Sequence, residues 1–155
     1  MSQLSHRTAT AADEALYLQW ANDADVRKNS FNEAQISPQN HHSWFSKKLK
    51  EEDALLLVFL NEKQEPVGQV RIDKGDYLQV DISVDQQQRG KGYALQMLQM
   101  ALTEYVQRFG KNIRIFSLIK RENISSIKTF EKAGFKLQED SAHPLYLKYI
   151  FTPLN

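Results

Sequence analysis

Val80-Asp-Ile-Ser-Val-Asp-Gln-Gln-Gln-Arg-Gly-Lys-Gly-Tyr-Ala94 carries a strand period that gives way, through a glycine turn, to a helical one. Val80, Ile82 and Val84 alternate with Asp81, Ser83 and Asp85, as in a half-buried strand. From Ala94 onward the apolar positions Ala94, Leu95, Leu98, Ala101, Leu102, Tyr105 and Phe109 fall mostly three or four apart, on one face of a helix. Between the two lies Arg89-Gly90-Lys91-Gly92-Tyr93-Ala94. Glycines there let the backbone turn tightly with its N–H groups aligned. The helix start behind them brings unpaired donors and a partial positive charge, and Arg89 and Lys91 add full charges. Such a turn is an anion cradle, suited to a phosphate or pyrophosphate.

Two familiar phosphate loops do not fit. A P-loop needs a Ser or Thr after Gly-Lys at its own spacing, and a dinucleotide fingerprint needs a small residue where Leu95 stands. Arg89, Gly92 and Ala94 instead match the Arg/Gln-x-x-Gly-x-Gly/Ala pattern of the GNAT superfamily of N-acetyltransferases, which the chain resembles. About thirty residues on, Asn123-Ile-Ser-Ser-Ile-Lys-Thr-Phe-Glu-Lys-Ala-Gly-Phe135 is similar to that superfamily's Asn-x-x-Ser/Ala-x-x-x-Tyr-x-Lys-x-Gly-Phe helix, with Phe130 where tyrosine is common. The resemblance implies an α/β (α+β) fold with a mixed, twisted sheet of about six to seven strands and helices on both faces. It implies acetyl-CoA as cofactor, held by Val84, Arg89, Gly90, Lys91, Gly92, Tyr93 and Ala94 and along the second helix by Asn123, Ser126, Phe130 and Lys132. Phe130 and Phe135 also fall where a Schellman helix end brings two apolar groups together, a purely structural alternative.

At 155 residues the chain is expected to form one domain over 1–155 with a sizeable core. It has no cysteine, which removes thiolate metal sites, disulfides and thiol nucleophiles. The four histidines lack the paired spacing of a metal site. No apolar run is long enough to span a membrane and no signal peptide is evident, so a cytoplasmic protein is expected. A net charge of +1 does not suggest nucleic-acid binding. Residues 89–136 nevertheless hold 10 of the 20 Lys and Arg against 3 acids, whereas residues 1–88 hold 9 against 14, so the half with the cradle is basic and suits a polyphosphate cofactor.

In chain order the pattern predicts a strand at residues 4–9, then a helix opened by Thr10 and Asp13 and running to about Asn22. An irregular polar stretch follows from Asp23 to Ile36. Ser37-Pro38 starts a helix to about Glu51, and strands follow at 54–60, 66–73 and 77–84 as an antiparallel meander. Beyond the central helix come a strand at 112–119, a helix capped by Asn123 and ended by Gly134, and strands at 136–139 and 145–151.

Trp20-Ala-Asn22, Val26-Arg-x-Asn-Ser-Phe31 and His41-x-x-Trp44-Phe45 are similar to GNAT enzymes that acetylate nucleotide-linked amino sugars, in particular those of the pseudaminic-acid pathway. A looser likeness runs to ribosomal-protein alanine N-acetyltransferases. The first likeness implies an acceptor site lined by Arg27, Asn29, His41 and Trp44, with the sugar's diphosphate near Arg27 and Arg71. Core or lid packing of Trp20 and Trp44, and a surface or helix-capping place for His41 and His42, are the structural alternatives. In this fold the strand ending at Val84 is expected to splay from the one beginning near Ile113. Backbone groups near Ser83 and Val84 would bind the pantetheine and stabilise charge on the thioester oxygen. Asp81 is the candidate base for the acceptor amine, with an ordinary solvent-facing role as its alternative. With Phe130 in place of tyrosine, Tyr146 or water would protonate the leaving thiolate. The remaining reading is a catalytically silent acyl-CoA-binding domain. The partners expected are a small-molecule amine and, for the assembled protein, a monomer or homodimer.

Overall fold

The computed structural model describes residues 3–138 and 143–153. Seven strands form one sheet in the order β1-β2-β3-β4-β5-β7-β6. The strands are β1 (Ser5–Thr8), β2 (Leu55–Leu60), β3 (Pro66–Lys74), β4 (Leu78–Val84), β5 (Ile115–Lys120), β6 (Lys136–Leu137) and β7 (Tyr146–Phe151). All neighbours are antiparallel except β4 and β5. The helices are α1 (Glu14–Ala21), α2 (Ala24–Lys28), α3 (Pro38–Leu49), α4 (Tyr93–Phe109) and α5 (Ile124–Lys132). The expected mixed sheet with helices on both faces is present.

Three expected elements differ in detail. The helix after Thr10 begins as a 3-10 turn over Ala11–Asp13, with the reciprocal Thr10–Asp13 box intact, before α1 takes over. The stretch from Asp23 contains a five-residue helix, α2, whose Asp23 side chain accepts from the N–H groups of Asp25 and Val26. Strand β6 spans two residues; the expectation that it reached Glu139 falls outside the described residues.

Strand alternation sorts the core onto the two faces. Val70, Ile72, Val80, Ile115, Ile119 and Tyr149 meet Met97, Leu98, Ala101 and Leu102 of α4 and Phe130 of α5 on one side. On the other, Leu56 and Val58 meet Tyr17 and Trp20 of α1 and Phe45 of α3. Phe45 is fully buried, its ring 5.0 Å from that of Tyr17. Truncating Phe45 to alanine is expected to cost about 3–5 kcal/mol and to lower Tm by roughly 10 °C, read by calorimetry.

Candidate active site

Strands β4 and β5 pair at a single position, Gln79 with Phe116, and run parallel from there. Past that point they diverge, leaving a gap beside the C-terminal half of β4. On its other edge β4 stays fully paired with β3 through Val84. The N–H of Asp85 donates to Val67 of β3, so strand alternation turns the N–H groups of Ile82 and Val84 toward the gap. Among the described residues no side chain accepts from these two N–H groups, while the Val84 carbonyl on the same edge takes a bond from Arg89.

The glycine turn lies at the end of that gap. Gly90 and Gly92 have φ of +79° and +77°, and an added Cβ at either would meet nothing within 4 Å. Gly92 is the N-cap of α4, and no side chain caps the helix or puts a carboxylate in its first turn. The first-turn N–H groups of the chain's longest described helix are therefore left without a side-chain cap, as an anion site requires. Open backbone at the turn and unpaired N–H groups along the gap fit the diphosphate and the amide-bearing arm of coenzyme A, respectively. Lys91 is exposed, its Nζ donating to Gln88.

Arg89 points differently from the expectation that its charge is free for a phosphate. Its guanidinium donates to Asp23 at 2.7 Å and Asp25 at 3.1 Å, and its Nε to the carbonyl of Val84 at 3.2 Å. Arg89 thus ties α2 to the end of β4. On the far side of the gap, Lys120 at the end of β5 donates to the carbonyl of Lys28 and to Glu33, at 2.9 and 3.0 Å. Phe31 packs on Tyr146, ring centroids 4.8 Å apart. Residues 23–33 therefore form a strap across the open end of the V.

The sheet face opposite α4 carries Asp81 and Ser83, both facing β3. Ser83 lies across from Gln69 and Asp81 across from Arg71. Gln69 is buried, and its Nε2 donates to Asp81 Oδ2 at 3.1 Å and to Ser83 Oγ at 3.0 Å. Among the described residues its Oε1 has no partner. Arg71 also approaches Oδ2 of Asp81, at 3.8 Å, while its Nε holds Asp73. Both neighbours thus engage one oxygen of Asp81 and leave Oδ1 to the exposed side. Because Ser83 Oγ accepts from Gln69, its own hydroxyl proton is available to donate elsewhere. Burial works against the Arg71 charge, but Asp81 and Asp73 outweigh it and hold the proton more firmly than usual. The Arg71 guanidinium also lies 4.9 Å over the half-buried Trp44 ring. Gln69 escaped the sequence reading because a lone glutamine in a strand gives no signal until the register sets it opposite Ser83.

Several expected acceptor residues do other work. Arg27 donates to the carbonyls of Ala21, Asn32 and Ala34 and to Ser30, which stiffens the strap rather than leaving a cation for a diphosphate. Asn29 caps α2 and donates to Asp25. His41 does not line a surface: it is buried, stacked on Phe45, and both ring nitrogens lack partners among the described residues. Phe130 is likewise in the core, edge-on to Phe135 at 4.9 Å, and Phe135 N–H closes the Schellman end on its carbonyl. Asn123 caps α5 through the N–H of Ser126, and Lys132 is the last residue of that helix. Tyr146 stands opposite Lys120, at the gap's end of the sheet, stacked on His143 at 3.9 Å.

Burial holds the His41 proton affinity below the ordinary histidine value. For Asp13, the Arg7 hydrogen bond holds the carboxyl low. For Asp23, burial pulls upward, but the bond from Arg89 and the N–H groups of Val26 and Asp25 carry it below the usual range. In all three cases the unfolded chain takes the proton more readily, so acid favours unfolding. Stability is expected to be level between about pH 7 and 9, to start falling below about 6.5 through His41, and to fall again below about 4 through the two carboxylates. In His41→Phe the first fall should vanish from thermal melts while the second persists.

Among the described residues no group of three His, Cys, Asp or Glu is placed to hold a metal ion, and no helix is long and apolar enough to cross a membrane. The profile of the acetyltransferase (GNAT) domain matches residues 3–136. No curated protein matches the chain significantly. Among solved structures it is similar to spermidine N-acetyltransferase from Vibrio cholerae in complex with CoA and spermine, at 18% identity and TM-score 0.81 over 96% of this chain and 94% of that one. It is also similar to a domain from Methanocaldococcus jannaschii DSM 2661, at 22% identity and TM-score 0.81 over 97% and 99%. With the profile spanning most of its length and the splayed sheet and glycine turn in place, the chain belongs to the GNAT acetyltransferases, enzymes that draw their acetyl group from acetyl-CoA.

Proposed function

We propose that the chain acetylates the primary amine of a nucleotide-linked amino sugar by direct attack, without an acetylated enzyme. The observation that carries the catalytic reading is the pairing of β4 and β5 at one position, with Asp81 and Ser83 beside the gap that follows. When bound, the acetyl thioester supplies a carbonyl carbon that the amine attacks, the N–C bond forming as the C–S bond breaks. The turn from Arg89 to Ala94 would hold the diphosphate through backbone N–H groups, and Asn123, Ser126 and Lys132 would lie along the arm. The N–H groups of Ile82 and Val84 would polarise the carbonyl oxygen, an interaction that strengthens as charge develops there. Asp81 Oδ1 would take the amine proton. The Ser83 hydroxyl, oriented by Gln69, or Tyr146 would supply one to the departing sulfur.

The acceptor assignment is supported by the Trp20-Ala-Asn22 to Trp44-Phe45 pattern and by the strap, which crowds one end of the acceptor face and suits a compact acceptor better than an extended peptide. An amine panel with thiol release as readout tests it. The expected result is turnover with UDP-linked 4-amino sugars and little with spermidine or an alanine-initiated peptide. Preference for the peptide would establish the protein-acetylating alternative. Acetyl-CoA binding without turnover on any amine would favour a silent sensor.

A further inference from the structure

We propose that Lys148 and Arg114, resting on the Tyr77–Phe116 ring pair, form a subsite for a phosphate or diphosphate of the acceptor. The inference rests on the acetyltransferase reading above and specifies the chemistry of its second substrate. Phe116 is opposite Gln79 of β4, and Lys148 is opposite Leu118 of β5. Strand alternation therefore puts Phe116 and Lys148 on the face that carries Asp81 and Ser83. Lys148 Nζ lies 4.6 Å from the Tyr77 ring centroid and 4.5 Å from that of Phe116. The Arg114 guanidinium lies 5.5 Å from the Phe116 centroid, and the two rings meet edge-on at 4.9 Å.

The other cations named on this face are engaged: Arg71 by Asp73 and Asp81, and Lys120 by Glu33. Lys148 and Arg114 have no carboxylate partner among the described residues. Aromatic faces steady their charges without neutralising them or consuming their N–H donors. Two steadied, uncompensated cations sharing the Phe116 ring attract an anion and repel a polyamine. Asp81 and Lys148 lie two strands apart with the gap between them, further than the roughly 10 Å of two paired strand spacings because β4 and β5 diverge past Gln79. A sugar phosphate lying across that gap would place its amine at Asp81 and its linked phosphate at Lys148. The subsite takes over the role that Arg27 and Arg71 are too fully engaged to play.

The test is a titration of the 15N-labelled, CoA-saturated protein with UDP, followed residue by residue. Saturable shifts are expected at Tyr77, Phe116 and Lys148, with affinity at least tenfold weaker in Lys148→Gln/Arg114→Gln and largely retained in Lys148→Arg. Calorimetry should find CoA affinity unchanged in all of them. Absence of shifts on this floor, equal UDP affinity in the double variant, or tighter binding of spermidine at the same residues would overturn the subsite. Failure of CoA to perturb residues 89–94 would instead sink the transferase reading. The UDP arm remains readable then, because the shifts report which residues are touched.

Discussion

Asp81→Asn should lower kcat by roughly 10²–10³-fold, the range for losing a positioned general base, while acetyl-CoA affinity stays as it was. The substitution isolates the chemistry because it preserves shape. The asparagine oxygen can still accept from Gln69 Nε2, and Arg71 keeps its bond to Asp73. What is lost is a group able to take a proton from the incoming ammonium. The measurement is thiol release at saturating acetyl-CoA with the best amine of the panel, alongside calorimetry of cofactor binding. Turnover within about threefold of the parent would move the base to another group or to water, and would return Asp81 to an electrostatic partner of Arg71.

Gly92→Val is the second large effect and acts on the other substrate. An added side chain would strike nothing at this position, so the penalty is conformational. At φ of +77° a β-branched residue is strongly disfavoured. The turn would relax to another shape, and the N–H groups at the start of α4 would cease to converge. Acetyl-CoA affinity is expected to fall by tenfold or more, with Tm lowered by only about 3–6 °C, because the residue packs against nothing. Equal affinity in the variant would remove the diphosphate from this turn. Gly92→Ala, milder in its backbone preference, should fall between the two.

Much of this was legible in the chain. The alternation from Val80 to Asp85 gave the correct faces of β4, because a strand's period is two regardless of context. The glycines at 90 and 92 marked a backbone that only they adopt easily. Helix α2 was missed because it is five residues long and buries none of them. Its order comes from Asp23 and from Arg89, sixty-six residues away. His41 was misread although the signal was present: it precedes Phe45 by four residues and so shares the face that Phe45 buries. The cluster of Gln69, Asp81 and Ser83 was beyond sequence reasoning, since only the β3–β4 register joins residues twelve and fourteen apart into one network.

The strap over the gap is fastened mainly by ion pairs, beside the one ring contact of Phe31 on Tyr146, whereas the layers beneath it are fastened by apolar contact. Ionic strength should therefore act on one and spare the other. Raising salt from about 0.1 M to 1 M shortens the Debye length from about 10 Å to about 3 Å. The Glu33–Lys120 tie, whose carboxylate side chain is 61% exposed, should yield before Asp23–Arg89, whose carboxylate is 14% exposed. Hydrogen exchange in concentrated salt should then show amides 29–34 quickening first and 24–28 later, with the global melting point little changed. Exposure to brine would open the mouth of the enzyme from the β5 side while its body stayed closed.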